Sequence, residues 1–256
     1  MSFFVKDVKA PTGAQIKDQY CTAIPIGTAI AQTWNLEYAK TCGDVVGAEM
    51  ERFGINLWLA PALNIHRSAL CGRNFEYYSE DPLISGLFAA AITQGVQQHK
   101  GCGTTIKHFA ANNQERNRYA NNSIVSERAL REIYLKGFAI CVKKAQPKAV
   151  MTSYNLINGI HANEIRGLSE DYLRAENAFG GIIMTDWIVA QMPSSGKYRI
   201  AKSNEVAKAG GDLFMPGSAK DYDLVMESLK SGDLSRQQLE VNATRIFRMI
   251  KELVRK

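Results

Sequence analysis

Long hydrophobic runs are missing from this sequence: nowhere do the ~18 consecutive apolar residues of a membrane-spanning helix occur, so no membrane partner is expected. Met1-Ser2-Phe3-Phe4-Val5-Lys6-Asp7 has no basic stretch leading into an apolar one, so no secretory leader is expected and a cytoplasmic location follows as the expectation. Cysteine is sparse and odd in number, with five residues at Cys21, Cys42, Cys71, Cys102 and Cys141. None form a C-x-x-C pair, which argues against a zinc ribbon and a disulfide scaffold and for free thiols in a reducing compartment. The two N-x-S/T triplets, at Asn121 and Asn242, carry little weight without a leader. Net charge is +6, yet lysine and arginine are dispersed and form no dense basic tract, so no nucleic-acid partner is expected. No G-x-G-x-x-G follows an apolar run, which weakens a dinucleotide-binding reading. No metal or cofactor is expected, and no repeat or low-complexity segment is present.

Two textures alternate along the chain. Short apolar runs rich in Ile, Val, Leu and Met occupy residues 55–63, 102–110, 148–155, 180–187 and 210–216. Between them lie longer stretches with helical spacing, at 28–53, 81–99, 126–145, 168–177 and 235–256. Ser126 and Ser235 stand where helices would begin, and Gln238 gives Ser235 the form of a capping box. Strand and helix in alternation specify an α/β fold with a parallel sheet covered by helices, and continuously apolar strands suit a sheet buried on both faces. The pattern alone leaves a closed barrel and a doubly wound sheet both open. Residues 1–20, with Pro11 and Gly13, are less patterned and read as a loop or arm; 21–256 reads as the barrel domain.

The informative residues stand where the apolar runs end. Asn64, His66, Arg67, Arg73 and Glu76 follow the first run; Lys107, His108, Asn113, Glu115 and Arg118 follow the second. Met151, Ser153, Tyr154 and Asn155 end the third, and Thr185, Asp186 and Trp187 end the fourth. A parallel barrel gathers its strand ends on one face, where its chemistry sits. This set suits a sugar: charged groups such as Arg73 and Lys107 hold hydroxyls, and an aromatic such as Trp187 packs on a pyranose face. Asp186, among cations, is expected to stay ionised and to serve as a nucleophile toward an anomeric carbon. Taken singly, each residue has a plainer role: Asp186 as a cap or ion-pair partner, His108 as a structural hydrogen-bonder, Trp187 as core, and Arg73 paired with Glu76. Successive strand ends that all deliver polar groups weigh against those plainer roles.

Leu59-Ala60-Pro61-Ala62-Leu63-Asn64-Ile65-His66-Arg67, running into Cys71-Gly72-Arg73-Asn74-Phe75-Glu76-Tyr77-Tyr78-Ser79-Glu80-Asp81-Pro82, resembles the long signature of glycoside hydrolase family 3 β-glucosidases. Lys107-His108-Phe109-Ala110 with Asn117-Arg118, Met151-Thr152-Ser153-Tyr154-Asn155 with Asn158-Gly159, and Met184-Thr185-Asp186-Trp187 are similar to three further motifs of that family. The resemblance implies a (β/α)8-type TIM barrel, incomplete at its first strand, and a retaining β-glycosidase acting on terminal β-linked glucosyl residues. It makes Asp186 the catalytic nucleophile, with Arg73, Lys107, His108 and Arg118 holding sugar hydroxyls, Met151 and Tyr154 lining the subsite and Trp187 bordering it. The substrate so implied is a β-linked glucoside or oligosaccharide. The glycine-rich stretch and Asp-x-His of the N-acetylglucosaminidase branch are absent after Lys107-His108.

Two departures from the family pattern matter. There is no Asp-Gly-Pro motif to end a first strand, and no second α/β domain to supply the acid/base carboxylate. Glu76 and Glu115 each have local arginines as expected partners. A sugar-binding but non-catalytic barrel, and a subunit completed by self-association or by a complementing domain, therefore stand as alternatives. A phosphate-binding barrel rests only on Gly210-Gly211. If the glycosidase reading holds, Asp186, Lys107, His108, Arg73 and Tyr154 converge on one pocket at the C-terminal face of the strands.

Overall fold

Helix signals in the sequence are realised locally through side-chain caps. In the computed structural model, which describes residues 20–187 and 197–254, Asn35 Oδ1 accepts the N–H groups of Glu37 and Tyr38 and starts α2 (Leu36–Phe53). The single helix expected over 28–53 is broken at Trp34, whose φ of 55° cannot continue a right-handed helix, and the preceding turns form a separate α1 (Gly27–Gln32). After β1 (Leu57–Trp58), Asp81 accepts the Leu83 N–H and Pro82 fills the first turn of α3 (Pro82–Gln97). β2 (Gly103–Phe109) and a short β3 (Asn122–Ser123) follow. Ser126 Oγ caps α4 (Glu127–Ala129) as expected, and the helix passes through a π-helical turn, Leu130–Tyr134, into α5 (Lys136–Ala145).

Then come β4 (Ala149–Thr152), β5 (Leu156–Ile157), β6 (Ile160–His161), a π-helical segment Gly167–Glu176, and β7 (Ile182–Met184). Three helices end the chain: α6 (Ser203–Lys208), α7 (Ala219–Ser231) and α8 (Arg236–Leu253). Ser235 Oγ caps α8, but the capping box is only half made, because Gln238 turns its side chain to Asn242.

The main sheet settles the alternative left open by periodicity. Its order is β1-β2-β4-β7, all parallel, and a parallel bridge from Met184 to Leu213 extends it by one more position. Spatial order equals chain order. A doubly wound sheet would reverse direction at a switch point, and none occurs here. Among the described residues no strand covers the outer side of β1 or joins Leu213 back to it, so the sheet is an arc of a TIM-type barrel. The expected N-terminal arm falls on residues that, up to 19, lie outside the described ones. A second sheet, β3-β5-β6, closes through an Asn158-Gly159 turn whose φ values of 50° and 91° suit a two-residue hairpin.

Alternation along each strand divides the core. Ile106, Val150 and Ile183 belong to the large cluster that includes Cys42, Met50, Phe88, Ile92 and Phe138 of α2, α3 and α5. Ala149, Met151, Ile182 and Met184 point the other way and pack with Met215 and with Ile246 and Met249 of α8. α2 and α3 approach closely because both carry glycine at the crossing: a Cβ on Gly43 would strike the Ile92 carbonyl. At the N-terminal ends of the strands, Asn56 Nδ2 donates to Leu253 O at 2.9 Å, and Lys148 pairs with Glu252 at 2.7 Å.

A buried ion cluster fixes β7. Asp212 Oδ2 accepts the Ile183 N–H at 2.7 Å and an Arg174 N–H at 2.6 Å, while Arg245 reaches Oδ1 at 3.3 Å and Glu170 at 2.8 Å. The Asp212 side chain is fully buried. Gly210 sits directly against Glu170, where a Cβ would collide with the carboxylate, and Gly211 packs on Val206, so this glycine pair offers no phosphate cradle. Removing Asp212 leaves two guanidiniums short of a partner and one strand N–H unmet. Asp212→Ala should therefore cost about 3–5 kcal/mol of stability, read from urea unfolding. A loss below ~1 kcal/mol would contradict this account of β7.

Candidate active site

Asp186 follows β7 and is aimed by its neighbour. Thr185 is fully buried; its N–H donates to Leu213 O at 2.9 Å and its Oγ1 accepts the Met215 N–H at 2.9 Å. With Thr185 held from both sides, the next side chain turns into the mouth of the arc. Asp186 is 9% exposed; its Oδ1 accepts the Trp187 N–H at 2.8 Å, and its Oδ2 lies 3.8 Å from His108 Nε2. That separation is too long for a direct hydrogen bond.

The electrostatics depart from expectation in one respect. Burial is the largest influence on Asp186 and raises its pKa, against the Trp187 N–H, the Tyr154 hydroxyl and the charges of Arg73 and Lys107. The cations moderate the carboxylate and do not dominate it. His108 is almost wholly enclosed, and burial together with Arg73, Lys107 and Arg118 holds its imidazole well below the ordinary range, so it is neutral. Lys107 is also lowered by burial, with Glu76 and Asp186 opposing that shift and Arg73 adding to it.

The remaining residues are braced by one another. Arg73 is ion-paired with Glu76, as the sequence led one to expect. Arg118 pairs with Glu115 at 3.2 Å, donates to Tyr119 Oη at 3.1 Å, and lies 4.9 Å from the Tyr154 ring centre and 5.0 Å from that of Tyr119. The Tyr119 and Tyr154 rings meet edge to face at 5.0 Å. The Tyr154 hydroxyl lies 2.6 Å from Trp187 O and within hydrogen-bonding reach of Asp186, so its single proton is shared between these two acceptors. Trp187 is 38% exposed at the rim.

Asp186, Lys107, His108, Arg73, Tyr154 and Arg118 thus come together from separate elements. Met151 lies opposite both Lys107 and Met184 in the sheet, with its side chain buried in the apolar cluster of Met184 and Met215. Tyr119 was missed in the sequence; the one available signal was an aromatic directly after Arg118 in a polar loop. A cavity of about 570 Å³ opens elsewhere, lined by Arg67, Asn113, Arg116, Asn122 and Tyr134, and shares only Glu115 with this group. Among the described residues, no group of three or more His, Cys, Asp or Glu is placed to hold a metal ion, and no helix is long and apolar enough to cross a membrane.

An arc of parallel strands with a buried carboxylate and its cations at the strand ends is the barrel class of α/β protein, with its site where that class carries one. Residues 3–249 match the Glycosyl hydrolase family 3 N terminal domain, and the chain belongs to that family. Beta-glucosidase B of Emericella nidulans is 39% identical over 255 residues, 97% of this chain and 29% of that protein. Beta-glucosidase A of Butyrivibrio fibrisolvens is 46% identical over 237 residues, 90% of this chain and 27% of that protein. Beta-glucosidase 3B from Thermotoga neapolitana, solved in complex with glucose, superposes with a TM-score of 0.85 at 42% identity, covering 96% of this chain and 35% of the other. The chain therefore spans about a third or less of each of these relatives.

The neutral, buried His108 generates a pH prediction. Its folded pKa lies below the unfolded value near ~6.5, so in that window the unfolded state binds the extra proton and stability falls as the pH drops. The slope contributed by one such group is at most ~1.4 kcal/mol per pH unit. Comparing urea midpoints at about pH 7.5 and about pH 5, His108→Gln should lose less stability on acidification than the wild type. His99, whose pKa is shifted upward, acts equally in both proteins and cancels. Equal acid losses in the two proteins would refute the assignment.

Proposed function

We propose that this chain is the sugar-binding and nucleophile-bearing barrel of a retaining β-glucosidase acting on terminal β-linked glucosyl residues. The observation that carries this reading is the meeting of Asp186 with Lys107, His108, Arg73, Arg118 and Tyr154 from four separate strand ends and loops. Arg73, Lys107 and Arg118 present N–H donors to sugar hydroxyls, and neutral His108 offers one donor and one acceptor. Trp187 supplies an exposed ring for a pyranose face. The glycosidase names of the relatives support the same substrate class.

In the proposed reaction an Asp186 oxygen bonds to the anomeric carbon as the bond to the aglycone oxygen breaks. The departing oxygen takes a proton from a separate acid. Water then attacks the same carbon, gives its proton to the conjugate base, and releases glucose and free Asp186. That acid normally lies about 5–5.5 Å from the nucleophile. Glu76 and Glu115 are committed to Arg73 and Arg118, so we place the acid in a further domain or a second copy of the chain. Among the described residues no strand pairs with the outer side of β1, and there such a complement, or self-association, would find backbone to pair with.

An activated 2-fluoroglucoside, whose leaving group needs little protonation, should form a slow covalent adduct on Asp186, seen by mass spectrometry. Simple activated aryl glucosides should turn over weakly, cellobiose hardly, and both activities should vanish in Asp186→Ala. Binding of glucose without any adduct would favour the non-catalytic barrel. Turnover that survives Asp186→Ala would reassign the nucleophile.

A further inference from the structure

Lys107 and His108 are adjacent in β2, and in a regular strand adjacent side chains point to opposite faces. Both nonetheless belong to the environment of Asp186: His108 Nε2 lies 3.8 Å from it, and the charge of Lys107 acts on it. The Lys107–His108 peptide is cis, and the ladder is irregular at the same point. Lys107 stands opposite Met151 and Phe109 opposite Thr152, so two steps on β2 face one on β4 and His108 is the bulged residue. The price of a bulge is an unpaired peptide group. β4 takes up the chain again beyond it, with Ser153 N–H donating to Phe109 O at 2.8 Å. On the other side, main-chain pairing with the β1 segment ends where Leu63 N–H donates to Lys107 O at 2.8 Å.

His108 is 1% exposed, so water does not readily satisfy its backbone. Asn64 does so at both ends. Its Oδ1 accepts the His108 N–H at 2.8 Å and its Nδ2 donates to the His108 carbonyl at 2.9 Å, with Asn64 itself 2% exposed. One side-chain amide here substitutes for the backbone of a missing strand step. Buried polar groups left unmade are costly, so the bulge persists only with that amide in place.

We infer that Asn64 is a positioning residue: it holds the bulged, cis-linked Lys107–His108 segment that presents both residues to Asp186. The inference rests on reading the site as a glucose-binding one. Asn64→Leu has nearly the same shape and neither hydrogen bond, whereas Asn64→Asp keeps the acceptor for the His108 N–H. Two readouts on the purified chain separate positioning from simple stabilisation: the affinity for D-glucose by calorimetry, and the His108 imidazole titration by NMR. Ile92→Ala, a buried change on α3, serves as a control for lost stability.

Asn64→Leu should weaken D-glucose binding about tenfold or more, and Asn64→Asp less. The His108 titration should move up toward the ordinary range in Asn64→Leu, while Ile92→Ala leaves both readouts as in the wild type. If Asn64→Leu does not fold, Asn64→Asp must still weaken binding beyond the control, and wild-type behaviour there would overturn the inference. If the wild type binds no glucose, the sugar reading fails while the titration still decides on Asn64: a shift supports positioning, and an unchanged titration refutes it. Equal effects in Ile92→Ala and the Asn64 variants would reduce Asn64 to a stabilising role and overturn the inference.

Discussion

A carboxylate kept out of water beside a neutral imidazole is the interaction on which the rest of this molecule depends. Asp186 pays a desolvation cost that the Trp187 N–H, Tyr154, Arg73 and Lys107 together offset only in part. His108 stands next to it uncharged, because burial and three neighbouring cations disfavour a proton on the ring. Two of these cations are in turn tied to an acid of their own, Arg73 to Glu76 and Arg118 to Glu115. The site is therefore a set of braced charges, and its geometry is only as fixed as the strand ends beneath it.

Those strand ends are held by polar groups that stand in for sheet where the sheet is interrupted. On β7, Asp212 accepts the Ile183 N–H and Thr185 is gripped through both its N–H and its hydroxyl. On β2, Asn64 pairs with the bulged His108. Among the described residues the sheet is an open arc without the mutual support of a closed barrel, and side chains from loops and from α8 replace part of it. Buried ions alone contribute little net stability; here the Asp212 cluster fixes the strand that precedes the nucleophile candidate.

Much of this was legible in the sequence. Five apolar runs mark the four sheet strands and the Leu213 bridge position, since a strand buried on both faces has no choice but to be apolar throughout. Helices with an apolar stripe or a serine cap were equally plain. α7 went unread, although Ser218 and Gly232 bound it and Tyr222, Val225, Met226 and Leu229 stand at helical spacing; its fully buried residues are Asp221 and Ser228, and its apolar side chains are only half-buried or exposed. The break at Trp34 and the π-helical turns were hidden because residue spacing does not encode a single left-handed residue or one extra residue in a turn.

By itself the sequence determined the alternation of strand and helix, the family signatures, and the polar residues that end each apolar run, because those are properties of consecutive residues. Only the tertiary structure decided that the sheet is an unreversed arc, since strand order is a relation between distant segments. It also decided that burial outweighs the cations at Asp186, that Tyr119 braces Arg118 and Tyr154, and that Asn64 serves His108 from 44 residues away. Desolvation and charge are set by what surrounds a group in space, and no local pattern along the chain records them.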